Sequence, residues 1–392
     1  MHIVVDEDIP WALEAFSPFG DVTLRPGRAL RREDLMEAEA LVVRSVTSVG
    51  AELLEGTPVR FVGTATIGTD HLDLRWLEGA GIRWTSAKGS NARSVVEWVL
   101  AGLAEWCVSR NTAWDKLTLG IVGCGTIGSK LARVAKRLGI RVLVNDPPLE
   151  ARRALPPQHA RDAIPLEALL EQSDFVSLHV PLERVGQWPT WHLIGKDELR
   201  RMKPGAVLAN SSRGPVLDNQ VALRSASGGL VTLVLDVFEN EPAPDRELVR
   251  QCFLATPHVA GYSLDGKMNG TRMIAEALGE YTGRKVPWKV QLAPPEETVV
   301  RLPDASPVQQ IHAALRHAYP IREDDERLRG GLALESDADW AAHFDRLRRE
   351  YPVRRETNNY ALAAPSGDDT VDRWLVDVLG MKPNWHDASI GL

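Results

Sequence analysis

The stretch that most restricts the fold runs from Leu117 to Asp146, LTLGIVGCGTIGSKLARVAKRLGIRVLVND. An apolar run, Leu119–Val122, leads into Gly123, Gly125 and Gly128. Ile127, Leu131, Val134, Ala135 and Leu138 then recur at three- and four-residue spacing, as one face of a helix requires. A second apolar run, Ile140–Val144, ends at Asp146. Strand, glycine turn, helix, strand and acid is the order a dinucleotide-binding unit demands. Gly123 allows the tight turn, Gly125 leaves room for a pyrophosphate, and Gly128 lets helix and strand approach closely. The helix start, Thr126, Ile127 and Gly128, offers backbone N–H groups and a partial positive charge to phosphate. Asp146 lies 18 residues after Gly128, in reach of ribose hydroxyls. Its carboxylate would repel a 2′-phosphate, and Pro147 and Pro148 leave no arginine beside it, so the pattern favours NAD over NADP.

The rest of the chain supplies a second sheet and an appendage. Apolar runs at His2–Val5, Ala40–Val43, Val59–Gly63 and Ile82–Trp84 are spaced as in a small parallel sheet. Two loops follow these runs, Arg44–Thr47 and Thr64–His71, and ligands of open α/β sheets bind beyond such strand ends. Ser45, Thr66 and Arg44 suit a carboxylate or phosphate there, and equally suit turns and helix caps. Lys88, in the turn before a long apolar helix, faces either an anion or only solvent. After Asp146, strands are expected at 173–178, 206–210, 230–235 and 253–255, each with polar residues at its C-terminal end. Residues 262–283 are expected to be helical (Met268 to Tyr281) and to return to the first domain, and the Pro-rich segment 286–295 marks a boundary. Residues 296–392 read as a strand-like run at 298–302 and helices at 308–318 and 337–350, with neither a glycine fingerprint nor a catalytic cluster; a dimer contact or a lid is the expected use.

Composition excludes several roles. The net charge of −7 gives no electrostatic case for nucleic acid or an anionic membrane, so an anionic substrate needs locally placed arginines. Cys107, Cys124 and Cys252 are scattered, without metal spacing, so neither a metal site nor a disulfide framework is expected, and a reducing cytoplasm is. The N-terminal acids do not suit a signal peptide, and no apolar run is long enough to span a bilayer.

Three strand ends carry candidates for chemistry: Arg213, Glu241 and His258. Oxidising an alcohol beside NAD needs a base for the hydroxyl proton, a grip on the substrate's carboxylate, and a partner for the imidazolium formed. Histidine titrates near neutrality, a carboxylate orients it and favours its protonated form, and arginine holds a carboxylate with two parallel hydrogen bonds. Singly, each residue is an ordinary loop or turn residue; together, downstream of a dinucleotide fold, they form a catalytic set.

Four separated motifs in order, the fingerprint at 120–128, AVLANSSRGPVLD at 206–218, VLDVFENEP at 234–242 and TPHVAGY at 256–262, resemble the D-2-hydroxyacid dehydrogenase family over residues 40–285. That resemblance implies a flavodoxin-like α/β substrate domain (1–93 and 262–285) and a Rossmann NAD domain (94–261), both doubly wound parallel sheets. It implies Arg213, Glu241 and His258 as the catalytic set. Within the family, VVDEDIP, VRSVT, FVGTATIGTDHLD and the tail segments IREDDERLR and FDRLRREYPVRRE resemble the branch that oxidises 4-phospho-D-erythronate in vitamin B6 synthesis. This implies an α+β dimerisation domain at 286–392 and substrate contacts at Ser45, Thr66 and Tyr262. NAD contacts are implied at Asp146, Val180, Ser211, Ser212, Arg213, Asp236 and Gly261, with Val180 limited to its backbone because it lacks a hydroxyl. The element 183–193 (ERVGQWPTWHL) is similar to a structural one in the family. Another member, such as one acting on 3-phosphoglycerate, and a non-catalytic NAD-sensing scaffold are the alternatives.

Overall fold

The computed structural model describes residues 1–285 and 287–385, and the chain divides into two compact units. The expected boundary segment begins on Val286, outside the described residues, as do residues 386–392 of the tail.

The first unit comprises Met1–Asn91 and Ser263–Ala293. Its strands are β1 (His2–Asp6), β2 (Asp21–Arg25), β3 (Ala40–Val43), β4 (Phe61–Thr64) and β5 (Arg83–Ser86). All pair parallel, in the order β2-β1-β3-β4-β5 of a flavodoxin-like sheet. Ile3, Val4 and Val5, and Ala40 through Val43, are wholly buried because helices cover both faces, which is why they form unbroken apolar runs. The strand β2, DVTLR, is absent from the apolar-run reading: it lies at the sheet edge and is only partly buried. The helix Leu264–Thr282 belongs to this unit and lies within the expected helical residues 262–283; Ser263 caps it by accepting from the Gly266 N–H at 2.9 Å. Its buried Ile274 packs on β4 so closely that a Cβ on Gly63 would lie 2.4 Å from the Ile274 Cγ2.

The second unit comprises Ala92–Tyr262 and the residues from Pro294 onward. Its sheet contains β6 (Thr118–Val122), β7 (Arg141–Asn145), β8 (Phe175–Leu178), β9 (Val207–Asn210), β10 (Thr232–Leu235) and β11 (Leu254–Ala255). These pair parallel in the order β11-β10-β9-β8-β6-β7. The strand order reverses at β6, between β7 and β8, so the switch point falls on the glycine turn after β6. Where a doubly wound sheet has a further strand outside β7, this chain keeps a single parallel bridge, Val144 to Ala163, among the described residues.

The helix Ala92–Arg110 is apolar nearly all round, and the packing explains it. One side lies on the sheet, where a Cβ on Gly102 would sit 3.2 Å from Val234. The other side shares a core with Ile311, Ala314, Leu315 and Ala318 of the helix Pro307–Ala318 in the tail. Two more tail helices, Ile321–Arg329 and Asp337–Arg349, bury Leu328, Trp340 and Phe344 in the core on the opposite face of the sheet. Asp325 accepts the Ala255 N–H at 2.8 Å, and Trp340 donates to the Pro244 carbonyl at 2.8 Å. A small parallel sheet of β12 (Val299–Val300), β13 (Ala361–Leu362) and β14 (Lys382–Pro383) completes the tail. The strand-like run at 298–302 thus contributes only two residues of strand.

This packing has a direct consequence. Removing residues 294–392 uncovers the second face of Ala92–Arg110, so the remaining chain is expected to lose its cooperative thermal transition and aggregate. A truncated chain that melts cooperatively near the full chain's temperature would contradict the shared core.

Candidate active site

The glycine turn is built as a cradle. Gly123 has φ +92°, and a side chain there would strike the His179 carbonyl at 2.6 Å. A Cβ on Gly128 would lie 1.9 Å from the Gly123 carbonyl oxygen, so turn and helix touch backbone to backbone. Gly125 differs: nothing among the described residues lies within 4 Å of its missing Cβ, and Gly125 and Thr126 are exposed. No contact inside the described protein therefore requires glycine at 125. The helix Thr126–Arg137 starts there without a side-chain cap, leaving its first N–H groups to an anion. Asp146 accepts the Cys124 N–H at 2.7 Å with one carboxylate oxygen and caps the short helix Pro147–Ala151 through the Leu149 N–H at 3.0 Å with the other. It thereby ties the turn to the end of β7. Ser211, just past β9, carries a buried hydroxyl oxygen with no hydrogen-bond partner among the described residues, and Val180 is half-buried past β8. An open turn, uncapped N–H groups and an orphaned hydroxyl along one sheet edge fit a bound dinucleotide.

The three chemical candidates follow adjacent strands: Arg213 after β9, Glu241 after β10 and His258 after β11. The first two turns are packed together, because a Cβ on Gly214 would lie 1.9 Å from the Phe238 carbonyl oxygen. Arg213 is half-buried, and its Nη1 donates to the Ser212 carbonyl at 2.7 Å. Ser212 in turn donates backbone and hydroxyl to Asn210 Oδ1, and Asn210 Nδ2 donates to the Arg213 carbonyl at 2.9 Å. The element at 183–193 braces this turn from outside: His192 and Ile194 N–H groups donate to the Pro215 and Val216 carbonyls, and His192 pairs with Glu239 at 2.6 Å.

His258 Nδ1 lies 2.6 Å from Glu241 Oε2, while Glu241 Oε1 accepts the Phe238 N–H at 2.9 Å. Burial pushes the Glu241 carboxyl up, but the His258 charge and hydrogen bond, with the Phe238 N–H, outweigh it and hold the group below the usual carboxylate range. His258 stands in the left-handed region, φ +59°, where a non-glycine residue is uncommon. Asp236 holds it there. This carboxylate is 1% exposed and accepts from Thr256 Oγ1 at 2.6 Å, Val259 N–H at 2.8 Å and Ala260 N–H at 3.0 Å. The His258 N–H donates to the Asp236 carbonyl at 2.7 Å. Thr256 also accepts from Trp98 Nε1 at 3.0 Å, and Ser94 donates to the Ala260 carbonyl at 2.8 Å. Gly261 follows on the same loop, half-buried, and Tyr262 closes it.

In the first unit, Ser45, Thr66 and Lys88 follow β3, β4 and β5, with Ser45 and Lys88 exposed. Thr66 Oγ1 lies 2.8 Å from Thr64 Oγ1, which also meets His71 Nε2 at 2.9 Å. Arg44 pairs with Asp8 at 2.7 Å.

The tail adds arginines that the sequence does not single out by position. Arg348 reaches Tyr262 and lies near enough to Glu241 to lower its pKa. Arg354 donates to the Ser94 and Ala260 carbonyls at 2.8 and 3.4 Å. A signal existed: Asp324 and Asp325 fall at three- and four-residue spacing from Ile321 and Leu328, so two acids share the buried face of a helix.

Known proteins resemble this chain. The family model of the D-isomer specific 2-hydroxyacid dehydrogenase NAD binding domain matches residues 94–260. A domain of unknown function, DUF3410, matches residues 292–377. A solved protein of similar fold is TT0316 from Thermus thermophilus, 26% identical with a TM-score of 0.62, over 73% of this chain and 99% of that one. The erythronate-4-phosphate dehydrogenase of Pseudomonas entomophila (strain L48) is 44% identical over 92% of this chain and 94% of its own. That of Cellvibrio japonicus (strain Ueda107) is 42% identical over 97% of this chain and 100% of its own. With such relatives along nearly its whole length, the chain belongs to the erythronate-4-phosphate dehydrogenase family of D-isomer specific 2-hydroxyacid dehydrogenases.

Proposed function

We propose that this chain oxidises 4-phospho-D-erythronate at C2 to (R)-3-hydroxy-2-oxo-4-phosphooxybutanoate, in the synthesis of pyridoxal 5′-phosphate. The observation that carries the chemistry is the 2.6 Å Glu241–His258 hydrogen bond, past strands of the same sheet that carries a turn suited to NAD. The substrate's identity rests on the relatives.

NAD, when bound, supplies the acceptor for the hydride leaving C2. Gly123, Gly125, Thr126, Ile127 and Gly128 are assigned to its pyrophosphate and Asp146 to its ribose. Val180 (through its backbone), Ser211, Ser212, Arg213 and Gly261 line the remainder, and Asp236 is assigned to the same site through the loop it fixes. His258 Nδ1–H donates to Glu241, so Nε2 is the ring nitrogen left to take the C2 hydroxyl proton. Glu241 then stabilises the imidazolium. Its pKa is depressed in the fold, so this support is fully present above the ordinary carboxylate range. It is lost only as pH falls through the lowered value. Arg213 holds the C1 carboxylate and polarises the C2 oxygen. Ser45, Thr66, Tyr262, Arg44 and Lys88 are assigned to the rest of the substrate.

Residues 286–392 are assigned the contact of a homodimer, on the tail's resemblance to a dimerisation domain. The reducing cytoplasm fits three free, buried cysteines; no helix among the described residues is long and apolar enough to cross a membrane.

Two measurements test this reading. His258→Ala and Arg213→Ala are each expected to lower kcat/KM for 4-phosphoerythronate by about 100-fold or more. Turnover within about threefold of the parent, a difference under about 1 kcal/mol, would remove the residue from its role. Sedimentation equilibrium is expected to give twice the 43.2 kDa chain mass, and a monomer at micromolar concentration would remove the dimer.

A further inference from the structure

A charge near the catalytic pair comes from the tail. Arg348 lies in the last turn of the helix Asp337–Arg349 and is half-buried. Its Nε is fully buried and meets no hydrogen-bond partner among the described residues. The guanidinium carbon lies 5.9 Å from the Tyr262 ring centroid, and the two side chains are hydrogen-bonded. Glu241 and Arg348 each feel the other's charge.

This position is built. Tyr351, three residues on, meets Tyr262 edge-on at 5.6 Å and donates to the buried Asp324 at 2.7 Å. Tyr319 donates to the same carboxylate at 2.9 Å, and the Arg354 guanidinium lies 3.5 Å over the Tyr319 ring. Arg354 is bonded in turn to the carbonyls of Ser94 and Ala260. The segment 348–354 is therefore locked against the loop that carries His258 and Tyr262.

Glu241 does not need Arg348 as its partner, because His258 already holds one carboxylate oxygen and the Phe238 N–H the other. A half-buried guanidinium with an unfilled N–H is costly to hold, and an arriving anion removes that cost. The substrate of the proposed reaction carries two anionic ends. Arg213 takes the carboxylate; the other end is a phosphate, and a planar guanidinium matches it with parallel hydrogen bonds. The tail is also a module of its own. A separate family model describes it, and a solved neighbour covered to 99% leaves over a quarter of this chain unmatched.

We propose that Arg348, beside Tyr262, binds the terminal phosphate of the substrate, so that the C-terminal module determines specificity for a phosphorylated 2-hydroxy acid. The inference rests on the proposed reaction and is tested separately from it. The full chain and its Arg348→Gln and Arg348→Lys variants are assayed with 4-phospho-D-erythronate and with unphosphorylated D-erythronate. NAD affinity is followed by fluorescence as the check on folding. Arg348→Gln is expected to lose at least about 30-fold in kcat/KM on the phosphorylated acid, chiefly through KM. It should stay within about threefold of the parent on D-erythronate. Arg348→Lys is expected to recover part of the loss, and it carries the same comparison if Arg348→Gln fails to bind NAD. Equal losses on both acids would overturn the proposal, because the residue would then act only through Glu241. No loss on either would overturn it too. A parent chain inert toward both acids would instead overturn the assigned reaction, and with it this inference.

Discussion

The hydrogen bond between Glu241 and His258 joins residues 17 positions apart, on turns after two neighbouring strands. His258 sits in a backbone conformation that most residues avoid. The buried Asp236 carboxylate offsets that cost by accepting three donors from the 256–260 loop. Burial pushes the Asp236 carboxyl above the usual range even against those donors and the His258 charge, so the loop depends on a strongly desolvated acid. A single side chain thus sets the loop that carries His258.

Asp236 is itself embedded in contacts that run outward. Thr256 carries the network to Trp98, and Ala260 carries it to Ser94 and Arg354. Through the helix Ala92–Arg110 and through Arg354, the catalytic loop leans on the tail as much as on the sheet. The tail has Asp325 on the backbone of β11 and Trp340 on the carbonyl of Pro244, close behind Glu241. The appendage, for which a dimer contact or a lid is the expectation from sequence, thus also packs against the elements that carry Glu241 and His258. Its arginines enter the site's electrostatics.

The legible parts of the molecule were those in which one residue type answers one physical demand. Gly123 and Gly128 each have a distinct geometric reason in the fold, Gly125 stands in open space, and the apolar runs of the two sheets follow from burial on both faces. Arg213, Glu241 and His258 stood at strand ends in motifs with fixed spacing. The rest depends on pairing across long sequence distances. β2 was hidden because an edge strand needs no apolar run. The tie from Asp236 to the 256–260 loop was hidden because an Asp after a strand looks the same whether it faces a ligand or its own backbone. Arg348 was hidden among the arginines of RLRREYPVRR, since only the tertiary fold distinguishes the one that turns toward Tyr262.

In the proposed reaction the C2 hydrogen leaves as hydride while His258 takes the hydroxyl proton. The most direct test uses 4-phospho-D-erythronate carrying deuterium at C2 and follows the label by mass spectrometry after one turnover. The expected result is deuterium recovered on the reduced nicotinamide, with none released to water. Deuterium released to solvent, with the nicotinamide unlabelled, would contradict it.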